Sequence, residues 1–173
     1  KFANILKKYK IKKHDRVFIF LPRIPELFIA FIGILKTGAI AGTLFSAFGH
    51  KALEDRLKDS GAKIVVTNNE LKKRIYEVKK HLPELKHIIV VDREAAKKNE
   101  VSYREEMQNA SSEFRIAKTS PEDIAFMLYT SGTTGKPKGV VHAHLACLHE
   151  HITAKYVLDI HDEDVYWCTA DPG

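Results

Sequence analysis

Residues 17–91 predict an α/β fold built on a parallel sheet. Three observations carry the prediction: short apolar runs alternate with helical stretches, the links between them are brief, and glycine or proline punctuates the boundaries. Strand, helix, strand, helix, strand with such short connections is the pattern of parallel strands joined by right-handed crossovers.

The elements follow in order. "VFIFL" (17–21) is an apolar strand closed by Pro22. A helix is expected from about 25 to 37, because Leu27, Phe28, Phe31, Ile34 and Leu35 recur at helical spacing, and Gly38 can cap it. Residues 39–44 form a second extended run. Residues 52–60 are an amphipathic helix capped by Gly61. "KIVVT" (63–67) is a strand. Asn68 or Asn69 can then cap a helix running to Leu82, before Pro83, and "HIIVV" (87–91) is the next strand.

From 92 to 119 the apolar periodicity fades into charge and serine, which predicts a connecting segment with one short helix around 103–107. "SPED" (120–123) is a helix-start signature worth one turn at most. "IAFMLY" (124–129) is continuously apolar and predicts a strand buried on both faces. "VVH" (140–142) begins another strand. The acidic run Asp159, Asp162, Glu163 and Asp164 reads as a solvated turn before a strand over 165–168, with Tyr166 and Trp167 expected in the core or on a pocket wall.

Composition limits the function. The 173 residues are 45% hydrophobic and 29% charged, as in a soluble globular protein, and suffice for one domain with a real core. The net charge of +6 is uneven: residues 1–139 carry 27 Lys and Arg against 16 Asp and Glu, and residues 140–173 one against six. The lysines are scattered along helical stretches without interleaved aromatics, so nucleic acid is not expected as a partner. Residues 27–49 hold a single charge, Lys36, and approach the length of a membrane span. Lys36, Thr37 and Gly38 read as a helix ending near the middle, and no membrane partner is expected. Cys147 and Cys168 form no CxxC pair, and no signal peptide is evident; a reducing, cytoplasmic location is expected.

The chemistry concentrates in "YTSGTTGKPKG" (129–139), between the strands at 124–129 and 140–142. Two strands holding a glycine-rich loop make a rigid platform with a mobile tip, the layout of a binding loop. Its composition suits phosphate. Glycine lets backbone N–H groups approach an anion, the hydroxyls of Thr130, Ser131, Thr133 and Thr134 can donate, and Lys138 supplies charge. The loop is not a Walker A motif, since Gly135-Lys136 is followed by Pro137 and the position five before Gly135 is Thr130.

"YTSGTTGKPKGVVH" resembles the phosphate-binding signature of the adenylate-forming, AMP-binding superfamily, which includes acyl-CoA synthetases, luciferases and peptide-synthetase adenylation domains. "DRVFIFLPRIPELFIAFIGILKTGAI" and "EDRLKDSGAKIVVTN" resemble that family's N-terminal units, and "DEDVYWCTADPG" (162–173) resembles the segment after the loop in AMP-forming acetate–CoA ligases. The resemblance implies Rossmann-like parallel layers of the N-terminal AMP-binding domain of an acyl-CoA synthetase, truncated within it. Residues 1–92 would be α/β units, 93–120 a connecting segment and 121–173 the phosphate-loop region.

It implies ATP with Mg2+, CoA and acetate or a similar short carboxylate as substrates and partners. Thr130, Ser131, Gly132, Thr133, Thr134, Gly135, Lys138 and Gly139 would bind ATP phosphate: Thr133, Thr134 and Lys138 by direct contact, Gly132, Gly135 and Gly139 by shape. No catalytic residue is expected in this chain, and the Mg2+ ligand and acyl pocket are expected downstream, so the chain alone should be inactive and prone to self-association. A non-catalytic nucleotide-binding fragment and a longer-chain acyl-CoA synthetase remain alternatives. His144, Cys147 and His151 share roughly one helix face, yet exposed histidines explain them better than a metal, and none is expected.

Overall fold

The chain is represented by a computed structural model that describes residues 1–92, 97–131 and 135–173. Seven strands form one sheet in the order β5-β4-β3-β1-β2-β6-β7. Strands β1 (Arg16–Phe20), β2 (Ile40–Thr43), β3 (Ile64–Thr67), β4 (His87–Val90), β5 (Glu100–Ser102) and β6 (Ile124–Thr130) run parallel. β7 (Lys138–Ala143) turns back antiparallel to β6.

Helices cover both faces. On one, α1 (Phe2–Lys8), α2 (Pro25–Lys36) and α5 (Tyr103–Asn109) bury Phe2, Leu6, Leu27, Ile34 and Tyr103 against Val17, Ile19, Ile64 and Ile89. On the other, α3 (His50–Ser60) and α4 (Lys72–Val78) bury Leu53, Leu57 and Ile75 against Phe18, Phe20, Val65, Ile88 and Met127. Alternate residues of each central strand thus serve different layers, which is why β1, β3 and β4 read as unbroken apolar runs. Burying each such side chain stabilises the fold by about 1.5–3 kcal/mol.

The helix ends follow their residues. Gly61 closes α3 in the left-handed region at φ 59°, and Gly38 follows α2 at φ 73°, its N–H bonding Leu35 O at 3.0 Å. Asn68, not Asn69, caps the next turn, its Oδ1 accepting from Leu71 N at 2.8 Å. The helix there is shorter than expected: α4 starts at Lys72 and passes into a 3-10 turn at Lys79–His81. The apolar stretch 27–49 is divided between α2 and β2, and no helix among the described residues is long and apolar enough to cross a membrane.

"SPED" makes no more than the single turn expected of it, closed by Ser120 N donating to Asp123 Oδ2 at 2.6 Å. Three expectations are corrected. β6 is only half buried: Ala125 and Met127 are covered, while Phe126, Leu128 and Tyr129 are partly exposed, because β6 lies next to the terminal strand β7, where the layers over the sheet faces give out and β7 itself is largely exposed. Residues 165–168 form no strand. Tyr166 and Trp167 stand in solvent, Trp167 at 80% exposure, because no sheet edge among the described residues receives them. The tail is held instead by polar contacts: Arg23 Nη2 donates to Thr169 O at 2.8 Å, and the Thr43 hydroxyl donates to Pro172 O. Two elements, α1 and β5, went unpredicted.

Asp123 ties the start of β6 to the α1–β1 loop. Its Oδ2 meets Lys13 Nζ at 2.6 Å and its Oδ1 lies 3.4 Å from His14 Nε2. The Lys13 hydrogen bond first, then the Ser120 N–H, lower its carboxyl from 3.8 to about 2. A depressed carboxyl stabilises the fold above its unfolded value and loses that contribution as pH falls from about 4 toward 2. The stability gap between wild type and Asp123→Asn is therefore expected to shrink over that window in urea titrations. A gap constant from pH 5 to pH 2 would refute the linkage.

Candidate phosphate-binding site

The glycine-rich segment joins β6 to β7. Because β6 runs parallel to β2, the loop leaves the sheet at the carboxyl ends of the parallel strands, where open α/β sheets bind their ligands. Thr130 closes β6 and pairs with Lys138, the first residue of β7; Tyr129 pairs with Gly139, and Leu128 with Val140. The hairpin brings Thr130, Lys138 and Gly139 together. Thr130, Ser131, Gly135, Lys138 and Gly139 are all exposed. Gly132, Thr133 and Thr134, three of the expected phosphate-binding residues, lie outside the described residues.

Two of the glycines serve different needs. Gly135 sits at φ 78° with open space around it, so conformation requires glycine there. At Gly139 a Cβ would lie 3.0 Å from Met127 Cε and in ordinary contact, 3.5 Å, with the Tyr129 ring, so a side chain there would press on the flexible end of Met127.

Side chains on paired strands alternate between faces, and this sorts the hairpin. Tyr129 and Gly139 face α3, where the Tyr129 hydroxyl donates to Asp59 Oδ2 at 2.6 Å. The Arg56 guanidinium lies 4.2 Å from the Phe48 ring centre and 5.8 Å from that of Tyr129. Burial first, then Asp59, hold the Tyr129 phenol well above its usual range, so it stays a donor. Thr130 and Lys138 occupy the opposite face, continued by His142, which stacks on Phe126 at 4.5 Å. Lys136 goes the other way: with Pro137 it borders a cleft of about 520 Å³ against Lys51, Asp55, Lys58 and Asp59. A cleft of equal volume at the end of α6 (His144–Tyr156) is bordered by His151, Lys155, His161, Asp162 and Glu163 and by no residue of the loop.

Sequence reasoning did not find Asp59 or Arg56, which stand some seventy residues before Tyr129 and signal nothing by spacing. Among the described residues no group of three His, Cys, Asp or Glu side chains is placed to hold a metal ion, His144, Cys147 and His151 included.

The whole chain, residues 1–173, matches the family described as AMP-binding enzyme. The chain belongs to the AMP-binding enzyme family. It is similar to the acetyl-coenzyme A synthetase of Bacillus subtilis (strain 168), 48% identical over 173 residues, covering 99% of this chain and 30% of that protein. The acetyl-coenzyme A synthetase of Methanothrix thermoacetophila is 40% identical, covering 100% and 28%. The chain thus spans less than a third of the length of these relatives. Among solved structures, a Brucella canis acyl-CoA synthetase superposes with TM-score 0.88 at 32% identity, over 99% of this chain and 31% of that one. An anthranilate CoA ligase in complex with anthranoyl-AMP does so with TM-score 0.81 at 29% identity, over 89% and 29%. The parallel α/β layers expected from the sequence are those of acyl-CoA synthetases.

Proposed function

We propose that this chain supplies the ATP-phosphate loop of an AMP-forming acid–thiol ligase that makes acyl-CoA from acetate or a similar short carboxylate. The observation that carries the reading is the loop's setting: Thr130 and Lys138 are paired at the mouth of a glycine-rich hairpin, at the carboxyl edge of a parallel sheet. The 48% identity to an acetyl-coenzyme A synthetase over the chain's length supports the acyl class. The anthranoyl-AMP neighbour supports adenylate chemistry while leaving the acyl group open.

In this reading a carboxylate oxygen attacks the α-phosphorus of ATP, the bond to the β-phosphate oxygen breaks, and pyrophosphate leaves. The CoA thiol then displaces AMP from the acyl adenylate. The loop acts in the first half: Lys138 and the hydroxyls of Thr130, Ser131, Thr133 and Thr134 hold the β- and γ-phosphates and stabilise the leaving charge. Each charge-assisted bond is worth about 1.5–3 kcal/mol. The described residues offer no cluster of three His, Cys, Asp or Glu side chains to hold Mg2+.

Isothermal titration of this chain with ATP tests the reading. Lys138→Ala is expected to weaken binding at least roughly tenfold, whereas Lys136→Ala, whose side chain borders the α3 cleft, changes it little. Equal effects of the two variants, or no ATP binding by the wild type, would refute it.

A further inference from the structure

We propose that Tyr129 and Asp59 are positioning residues for the phosphate loop, fixing its stem to α3 so that Lys138 and Thr130 face the ligand. The proposal rests on the phosphate-loop reading and adds to it a brace outside the loop itself.

Tyr129 is the last residue of β6 that faces α3 before the hairpin leaves the sheet. Its ring lies 6.4 Å from that of the fully buried Phe18, and its hydroxyl reaches Asp59 in the final turn of α3 at 2.6 Å. Across the ladder the bare backbone of Gly139 closes onto the ring. One residue further, Thr130 and Lys138 form the next pair and present themselves on the other face. The two-residue alternation therefore separates an anchored pair from a presented pair, and whatever fixes the first fixes the base of the second.

Lysine is a flexible point charge, so its hold on a phosphate depends on where its Cα is set. The hairpin has few other tethers here, since β6 pairs with β2 only at Phe126 and Met127, three or more residues before the loop. Among the described residues the Tyr129 hydroxyl ties the stem to the last turn of α3, chiefly through Asp59 at 2.6 Å with the Ser60 hydroxyl beside it.

The test titrates inorganic pyrophosphate into this chain by calorimetry, with Tyr129→Phe, Asp59→Ala, Asp59→Asn, the Tyr129→Phe/Asp59→Ala double variant and Lys138→Ala. Tyr129→Phe keeps the ring and removes only the hydroxyl. Tyr129→Phe and Asp59→Ala are each expected to weaken binding by roughly tenfold, with the double variant no weaker than either alone. Asp59→Asn keeps an acceptor and recovers most of the affinity. A purely structural bond would lower melting temperatures without this coupling or rescue in affinity.

If Lys138→Ala loses pyrophosphate while Tyr129→Phe stays within about twofold of wild type, or if the two losses add in the double variant, the brace is overturned and the phosphate loop stands. If wild type and Lys138→Ala bind alike, the phosphate reading fails and the brace with it. Should Asp59→Ala not fold, Tyr129→Phe and Asp59→Asn decide between the same outcomes.

Discussion

Lys138→Ala should abolish most adenylation while sparing thioester formation. With these 173 residues exchanged for the matching segment of the Bacillus subtilis relative, acetate-dependent ATP–pyrophosphate exchange is expected to fall roughly 10²–10³-fold, the cost of removing one preorganised donor from developing charge. Formation of acetyl-CoA from supplied acetyl-AMP should change little, because pyrophosphate has already left. The contrast follows from the placement of Lys138 opposite Thr130 at the mouth of the hairpin, on the face turned away from α3. Equal losses in the two assays would overturn the assignment.

Glu100→Ala should remove a large part of the folding stability without touching the loop. Glu100 and Lys72 are 6% and 7% exposed, and Lys72 Nζ lies 3.0 Å from Glu100 Oε1. The Tyr76 hydroxyl donates to the same oxygen at 2.9 Å, and burial, then this bond, push its phenol up to about 12. The pair fastens edge strand β5 to α4. Deleting the carboxylate leaves the Lys72 ammonium buried without it, which costs about 3–5 kcal/mol of the 5–15 available to a domain. Replacing both, as Lys72→Met with Glu100→Leu, should cost less than Glu100→Ala, since no ammonium is left stranded and the loss that remains is the acceptor of the Tyr76 hydroxyl. Urea unfolding measures the difference, and a loss below about 1 kcal/mol for Glu100→Ala would refute the argument.

The parallel α/β layering, the strands at 17–21, 63–67 and 87–91, the helix endings at Gly38 and Gly61, and the glycine-rich loop between two strands are legible along the chain. Each is written locally: in runs of apolar residues, in glycines at left-handed positions, or in a cluster of glycines and hydroxyl residues between two apolar runs. The rest depends on how the layers pack. β5 is three residues long and gains its place from pairing with β4 and from the Lys72–Glu100 contact, neither visible in "EVS". Residues 165–168 read as a strand from their apolar side chains, yet a strand exists only where a neighbour pairs with it, and none among the described residues does. Likewise Asp59 and Tyr129 carry no mutual signal along the chain. Their meeting requires α3 to pack beside β6, because a hydrogen bond between distant residues is set by how the layers stack rather than by the spacing of residues within either element.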